Sequence, residues 1–297
     1  MLIALDDADI LPYNRLVSAV LRSDSIPVPL TLEFQVKMTA DMQDRLKEGS
    51  VVKIGTHYIE MTIIKASVQH TGIIQGDEKI ILGSFIAVLS GCENLIKPLS
   101  KAIFLEQTSI GAAMKASGIK IKVVDDVPLL SYFCPFGQTP TYEIARKCGE
   151  EAVVIYSVEG KISVKRLSTL MQSEPKLLLD PTSVHWMKNS TGLLHEVPSY
   201  ITVNPDGSTI EGEIKAGKIA SYYPNMDTRR LKNLSTALVV KGTIQRALSL
   251  DLNAGDVIQV GEEKYYILTA AHRIDTGALG ASTVSVSKFW IAQVESL

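Results

Sequence analysis

Leu46-Lys-Glu-Gly49-Ser-Val-Val-Lys-Ile-Gly55, followed by THYIEMTIIKASVQHTG ending at Gly72, decides the fold because the chain spells it twice. The second version is Leu252-Asn-Ala-Gly255-Asp-Val-Ile-Gln-Val-Gly261, followed by EEKYYILTAAHRIDTG ending at Gly277. Leucine, both glycines, the V-[VI]-x-[IV] alternation, a tyrosine (Tyr58 and Tyr265) and the closing Thr-Gly recur in order. A single-residue gap after Gly55 aligns them. The first glycine of each version supplies the positive φ of a tight turn. The alternating quartet makes a short half-buried strand, and the second glycine turns the chain into another. Each version is therefore a β-meander. The two lie about 200 residues apart, which excludes a solenoid array and means two related domains with something between them. Gly49, Gly55, Gly255 and Gly261 are structural on this reading.

Flanking segments extend both meanders. Leu30, Leu32, Phe34 and Val36 alternate with Thr31, Glu33, Gln35 and Lys37, one face in and one out. KIILGSFIAVLSG follows the first meander. Residues 237–242 precede the second and 282–292 follow it, with Val284, Val286, Lys288 and Trp290 on one face. The middle third reads as α+β. A helix over 106–117 carries Ile110, Ala113 and Met114 and stops at Gly118. Thr139-Pro140 opens a second helix with Ile144, Ala145 and Cys148 on one stripe. A strand KIKVV precedes Asp125, and 153–156 with 161–165 form a hairpin turning at Gly160. A further hairpin at 200–213 turns through Asn-Pro-Asp-Gly207 and fits either the middle unit or the first β unit. The expected fold class is α+β, mainly β: two related small β-barrel domains flanking a central α+β unit. Its divisions are 1–100, 101–198, and 199–297 for the hairpin plus second barrel.

The bulk composition narrows the function. Hydrophobic residues are 46% and charged residues 21%, enough to bury a core. A net charge of −2 argues against a chain that grips nucleic acid by overall charge. Cys92, Cys134 and Cys148 have no CxxC spacing and read as reduced, small buried hydrophobes. The opening MLIALDDADILPYNR carries acids where a signal peptide carries bases, and apolar runs such as 80–91 fall short of a membrane helix. The expectation is a soluble chain without membrane insertion.

Motifs of chemistry are sparse. His57, His70, His185, His195 and His272 have no zinc-type spacing and read as strand or surface residues. No GxSxG elbow, phosphate loop or dinucleotide turn is present. Asp6-Asp7, Asp125-Asp126 and Glu150-Glu151 are adjacent pairs that diverge, and are expected as solvated acids rather than a catalytic couple. Arg229-Arg230-x-Lys232, and Lys161 with Lys165 and Arg166, are small basic clusters expected on a solvated face or a subunit contact. Aromatic residues, 6% of the chain, do not interleave with them as a stacking platform requires. No catalytic, cofactor or metal-binding residue is assigned.

With these residues in place, the layout resembles the baseplate hub proteins of contractile phage tails, Mu-like and late-control tail proteins, and the N-terminal part of type VI secretion spikes. The resemblance rests on Ile26-Pro-Val-Pro-Leu-Thr-Leu-Glu-Phe34, the two L-x-x-G-x-V-[VI]-x-[IV]-G segments, Gly137-Gln-Thr-Pro-Thr-Tyr-Glu-Ile-Ala145, and residues 251–267. It implies a virion structural role without enzymatic activity. Three chains with two barrels each would give a ring of six, matching a sixfold tail tube on one side and a trimeric spike on the other. The implied partners are the tube protein, a spike protein and a tape-measure protein. The chain is short for a hub and its sequence carries no lysozyme-like or spike extension. Alternatives from other classes are a tube-like distal tail protein of a non-contractile tail, a carbohydrate- or peptidoglycan-active β enzyme, and a small-ligand binding module.

Overall fold

The structure, a computed structural model, describes residues 2–5, 9–76, 78–187, 199–214 and 219–296. Asp6, Asp7 and His195 lie outside the described residues. The first unit comprises β1 (Ile3–Ala4), β2 (Leu16–Asp24), β3 (Leu30–Lys37), α1 (Ala40–Arg45), β4 (Val51–Ile54), β5 (Ile59–Gln75) and β6 (Glu78–Leu89). In β3 the alternation is realised: Leu30, Leu32, Phe34 and Val36 are buried while Glu33 and Gln35 are exposed. Lys37, expected outward, is buried because its Nζ donates to Gln75 Oε1 at 2.7 Å.

Next come β7 (Ile103–Ser109), α2 (Ile110–Ala116), β8 (Pro128–Cys134), α3 (Pro140–Glu151), β9 (Val153–Val158), β10 (Lys161–Arg166) and α4 (Leu167–Met171). The helix expected from 106 starts only at Ile110. Residues 103–109 pair with β8, and Ser109 Oγ caps the helix by accepting from Ala112 N at 3.1 Å. KIKVV makes a single parallel bridge, Val123 with Ile162, instead of a full strand. In α3 the apolar stripe is narrower than expected: Ile144 is buried but Ala145 is exposed.

The last third holds β11 (Leu178–Leu179), β12 (His185–Trp186), β13 (Ser199–Val203), β14 (Thr209–Glu211), β15 (Ala220–Tyr222), α5 (Thr228–Leu234), β16 (Thr236–Ala247), β17 (Val257–Val260), β18 (Glu263–Asp275) and β19 (Val284–Ser296). The 200–213 hairpin forms its own sheet, β14-β13-β15. It packs on α5, which packs on α3, so it sides with the middle unit.

The repeat is real in three dimensions. Gly49 N donates to Ile63 O at 2.8 Å and Ile63 N to Ser50 O at 2.9 Å; Gly255 N donates to Ile267 O at 3.1 Å and Ile267 N to Asp256 O at 2.9 Å. The turn glycines share their left-handed backbones, φ 88° and 100° at Gly49 and Gly255, 68° and 63° at Gly55 and Gly261. The long strand of each copy then bulges at the same place, between Ile63 and Lys65 and between Ile267 and Thr269. Past the bulge Ala66 faces Phe85 and Ala270 faces Phe289. One detail of the alignment is corrected. The first turn closes at Ile54–Ile59 and the second at Val260–Glu263, two residues shorter, so Met61 rather than Tyr58 matches Tyr265. Tyr58 lies in the turn, exposed, at φ 48°, whereas Tyr265 is buried.

The two copies are not separate bodies. Among the described residues one sheet runs β1-β4-β5-β6-β3-β2-β18-β19-β16-β12, open at both ends, with β17 and β11 attached at its side. Strand β2 joins the copies: Ala19 faces Phe34 of β3 on one side and Ile274 of β18 on the other. The β9–β10 hairpin wedges between them. Val153 and Ile155 belong to the core of the first unit, while Val154 and Tyr156 pack with Val257 and Tyr266 of the second. On β18 the wholly buried His272 bonds Ser287 Oγ of β19 through Nδ1 at 2.8 Å.

Burial holds the His272 imidazole neutral, down to about 4, against a smaller upward pull from the Leu252 carbonyl. The unfolded chain, with a histidine near 6.5, then binds the proton first. Stability should be full above about pH 6.5 and fall as the pH drops towards about 4, by up to roughly 3 kcal/mol. Urea melts at stepped pH check this; in His272→Leu that part of the slope should vanish.

Candidate functional site

The acids and bases expected on the surface converge instead at the C-terminal end of α3. Glu150 and Glu151 are 2% and 1% exposed, which corrects the expectation of solvated acids. Glu151 Oε2 accepts from Arg229 Nη1 at 2.7 Å and Oε1 from Arg230 Nε at 2.7 Å, and Arg166 Nη2 stands 3.3 Å from Oε2. Of the basic cluster of α5, Arg230 is largely drawn out of solvent by this pairing, while Arg229 and Lys232 remain exposed. Glu150 takes Arg146 Nη1 at 3.0 Å and Lys147 Nζ at 2.7 Å, and Arg146 also donates to Tyr223 Oη at 3.2 Å. The helix-end carbonyls are satisfied too: Asn233 Nδ2 donates to Glu150 O and Arg166 Nη1 to Glu151 O, both at 2.9 Å. Cations suit a helix C-terminus, where two carboxylates alone would be repelled.

Burial would raise the Glu151 carboxyl, but the bonds from Arg229 and Arg230 outweigh it and hold it below the usual carboxylate range. A carboxylate kept ionised by three arginines cannot donate a proton near neutral pH. The neighbouring cleft, about 290 Å³, is lined by Arg146, Arg230, Tyr223, Leu130 and Phe133. Its charges are already paired with one another, so the cluster works as a joint that fastens α5 and the β13–β15 sheet to α3.

The other acidic pair is equally structural. Asp125 Oδ2 accepts from Ser163 Oγ at 2.7 Å, and Asp126 accepts from Ser109 Oγ at 2.6 Å and from Gly111 N at 2.8 Å at the head of α2. His57 sits in the β4–β5 turn, His70 on β5 and His185 on β12, in three different parts of the fold. Among the described residues no three His, Cys, Asp or Glu side chains gather as metal ligands do. Burial pushes the Cys92 and Cys148 thiols up to about 12, which makes them poor nucleophiles. Among the described residues no helix is long and apolar enough to cross a membrane.

The solvent face of the shared sheet is mixed in character: Ser18, Glu33, Gln35 and Lys65, together with the apolar Val20 and Ile86, line a hollow of about 320 Å³. Arg22 and Arg273 on this face are paired with Asp24 and Asp275 at 2.7 Å each. Solved structures superpose on this layout over nearly the whole chain. The chain has the fold of phage tail proteins.

The 43 kDa tail protein of prophage MuSo2 from Shewanella oneidensis superposes with a TM-score of 0.64 at 11% identity, covering 98% of this chain and 97% of that one. The tail protein of Neisseria meningitidis gives 0.63 at 9% identity, covering 98% and 95%. An Escherichia coli component of the type VI secretion system, structurally similar to the T4 bacteriophage tail proteins gp27 and gp5, gives 0.53 at 9% identity over 95% and 74%. No protein-family model matches the chain, and no curated protein matches it. The fold is thus shared at sequence identities of 9 to 11%.

Proposed function

We propose that this protein is a structural, non-enzymatic hub subunit of a phage or phage-like tail, three copies of which close into a ring between a hexameric tube and a trimeric spike. The observation that carries the reading is the β2–β18 junction, which joins two equivalent units edge to edge within one sheet. Such a junction is head-to-tail, and a head-to-tail contact repeated between chains generates either a closed ring or an open filament. Two units per chain and three chains give six similar units around the axis. The solvent face of the shared sheet, which carries Glu33, Gln35 and Lys65, would then line the lumen. The likeness of the Escherichia coli secretion component to gp27 and gp5 supports a spike as one partner.

Light scattering on the purified chain tests the reading, with negative-stain images of the same sample. Three chains per particle with six peripheral densities is the expected result. Six chains per particle would favour a tube-like distal tail protein, and a monomer at every concentration would overturn the ring.

A further inference from the structure

The internal copy serves as a template for the contact between chains, an inference that rests on the ring reading above. In the second copy the edge of β18 beyond its bulge, Thr269–Asp275, is filled by Ser18–Asp24 of β2. In the first copy the matching edge of β5, from Lys65 to Thr71, has no strand beside it among the described residues. The complementary edge exists as well. Strand β12 lies on β16 as β2 lies on β3: His185 faces Thr243 and Trp186 faces Gly242, where Val20 faces Glu33 and Leu21 faces Leu32. The outer side of β12 is also without a strand among the described residues.

Burial sharpens the match. Superposing the copies places Val68 on His272 and Trp186 on Leu21. His272 and Leu21, which face each other inside the chain, are 0% and 9% exposed, whereas Val68 and Trp186 are 48% and 43% exposed. Two apolar side chains stand open at the two positions that the internal junction buries. Long unpaired edges invite strand addition, and natural proteins leave them where addition is wanted.

We infer that a second copy of this chain lays residues 184–187 antiparallel along the β5 edge of the first, with Trp186 opposite Val68 and His185 opposite Gln69.

The test pairs Gln69→Cys with His185→Cys in one chain, since both residues are exposed and facing strand residues lie within disulfide reach. Mild oxidation should yield a closed covalent trimer, while each single variant and a Gln69→Cys/Tyr142→Cys control should not cross-link. Trimers by light scattering that never cross-link at 69/185 would overturn the edge pairing and leave the ring reading standing. Cross-linked chains of open, mixed length would confirm the pairing and overturn the ring. Monomers without cross-links at any concentration would overturn both. Independently, Val68→Asp, harmless at an exposed site, should weaken assembly on the order of a hundredfold with an unchanged melting temperature of the isolated chain; unchanged assembly would overturn the inference.

Discussion

Glu151→Ala is expected to remove about 3 kcal/mol of stability, because truncating one partner of a buried ion cluster leaves the others buried and unpaired. The loss should come mainly through Arg230, whose side chain is 13% exposed; Arg229 and Arg166, at 49% and 34%, turn in part to water. Arg229→Ala should accordingly cost under about 1 kcal/mol. The double variant Glu151→Ala/Arg230→Ala should cost less than the sum of its singles, since the second truncation relieves the charge stranded by the first. Urea titrations of the four proteins measure this. Additive losses would mean that the cluster does not act as a unit. Amide exchange should quicken first in 199–203 and 228–234, the segments it fastens to α3.

The second large effect lies at Gly255. A Cβ there would sit 2.2 Å from Tyr156 Cδ2, and the backbone is left-handed at φ +100°. Gly255→Ala should cost about 3 kcal/mol, combining backbone strain with overpacking. Gly49 is its internal control: the same turn, φ +88°, with nothing within 4 Å of a Cβ. Gly49→Ala should cost only about 1 kcal/mol. Thermal melts of both variants separate backbone strain from the steric clash. Adding Tyr156→Leu to Gly255→Ala should return part of the loss.

The sequence disclosed the meanders because turn glycines and alternating strands are local signals, and Gly49, Gly55, Gly255 and Gly261 all bear them out in their φ angles. It misaligned Tyr58 with Tyr265 because a turn tolerates two extra residues with little change in its composition. It gave no sign that β2 joins the copies, since Leu16–Asp24 contacts a strand about 250 residues away and both edges look alike in sequence. The carboxylate cluster was hidden for the same reason. Glu151 and its partners Arg229 and Arg230 are 78 and 79 residues apart, and adjacent acids at a helix end ordinarily face water. Ala145 was misplaced on the buried stripe of α3 because helical spacing fixes a face but not its width. The helix start at Ile110 was missed by one strand, whose pairing with 128–134 outweighed local propensity.

Strand β9 has one further effect. Its alternate side chains are anchored in two different cores, Val153 and Ile155 in one, Val154 and Tyr156 in the other. It therefore sets the tilt of one β unit against its twin, much as a keystone sets the angle between two blocks. In the proposed ring of six such blocks, any looseness at this joint would be repeated three times per revolution. Softening it, for example with Tyr156→Ala, should broaden the population into arcs and misclosed particles before it unfolds a single chain. Rigidity inside the protomer would then serve as angular precision in the finished particle.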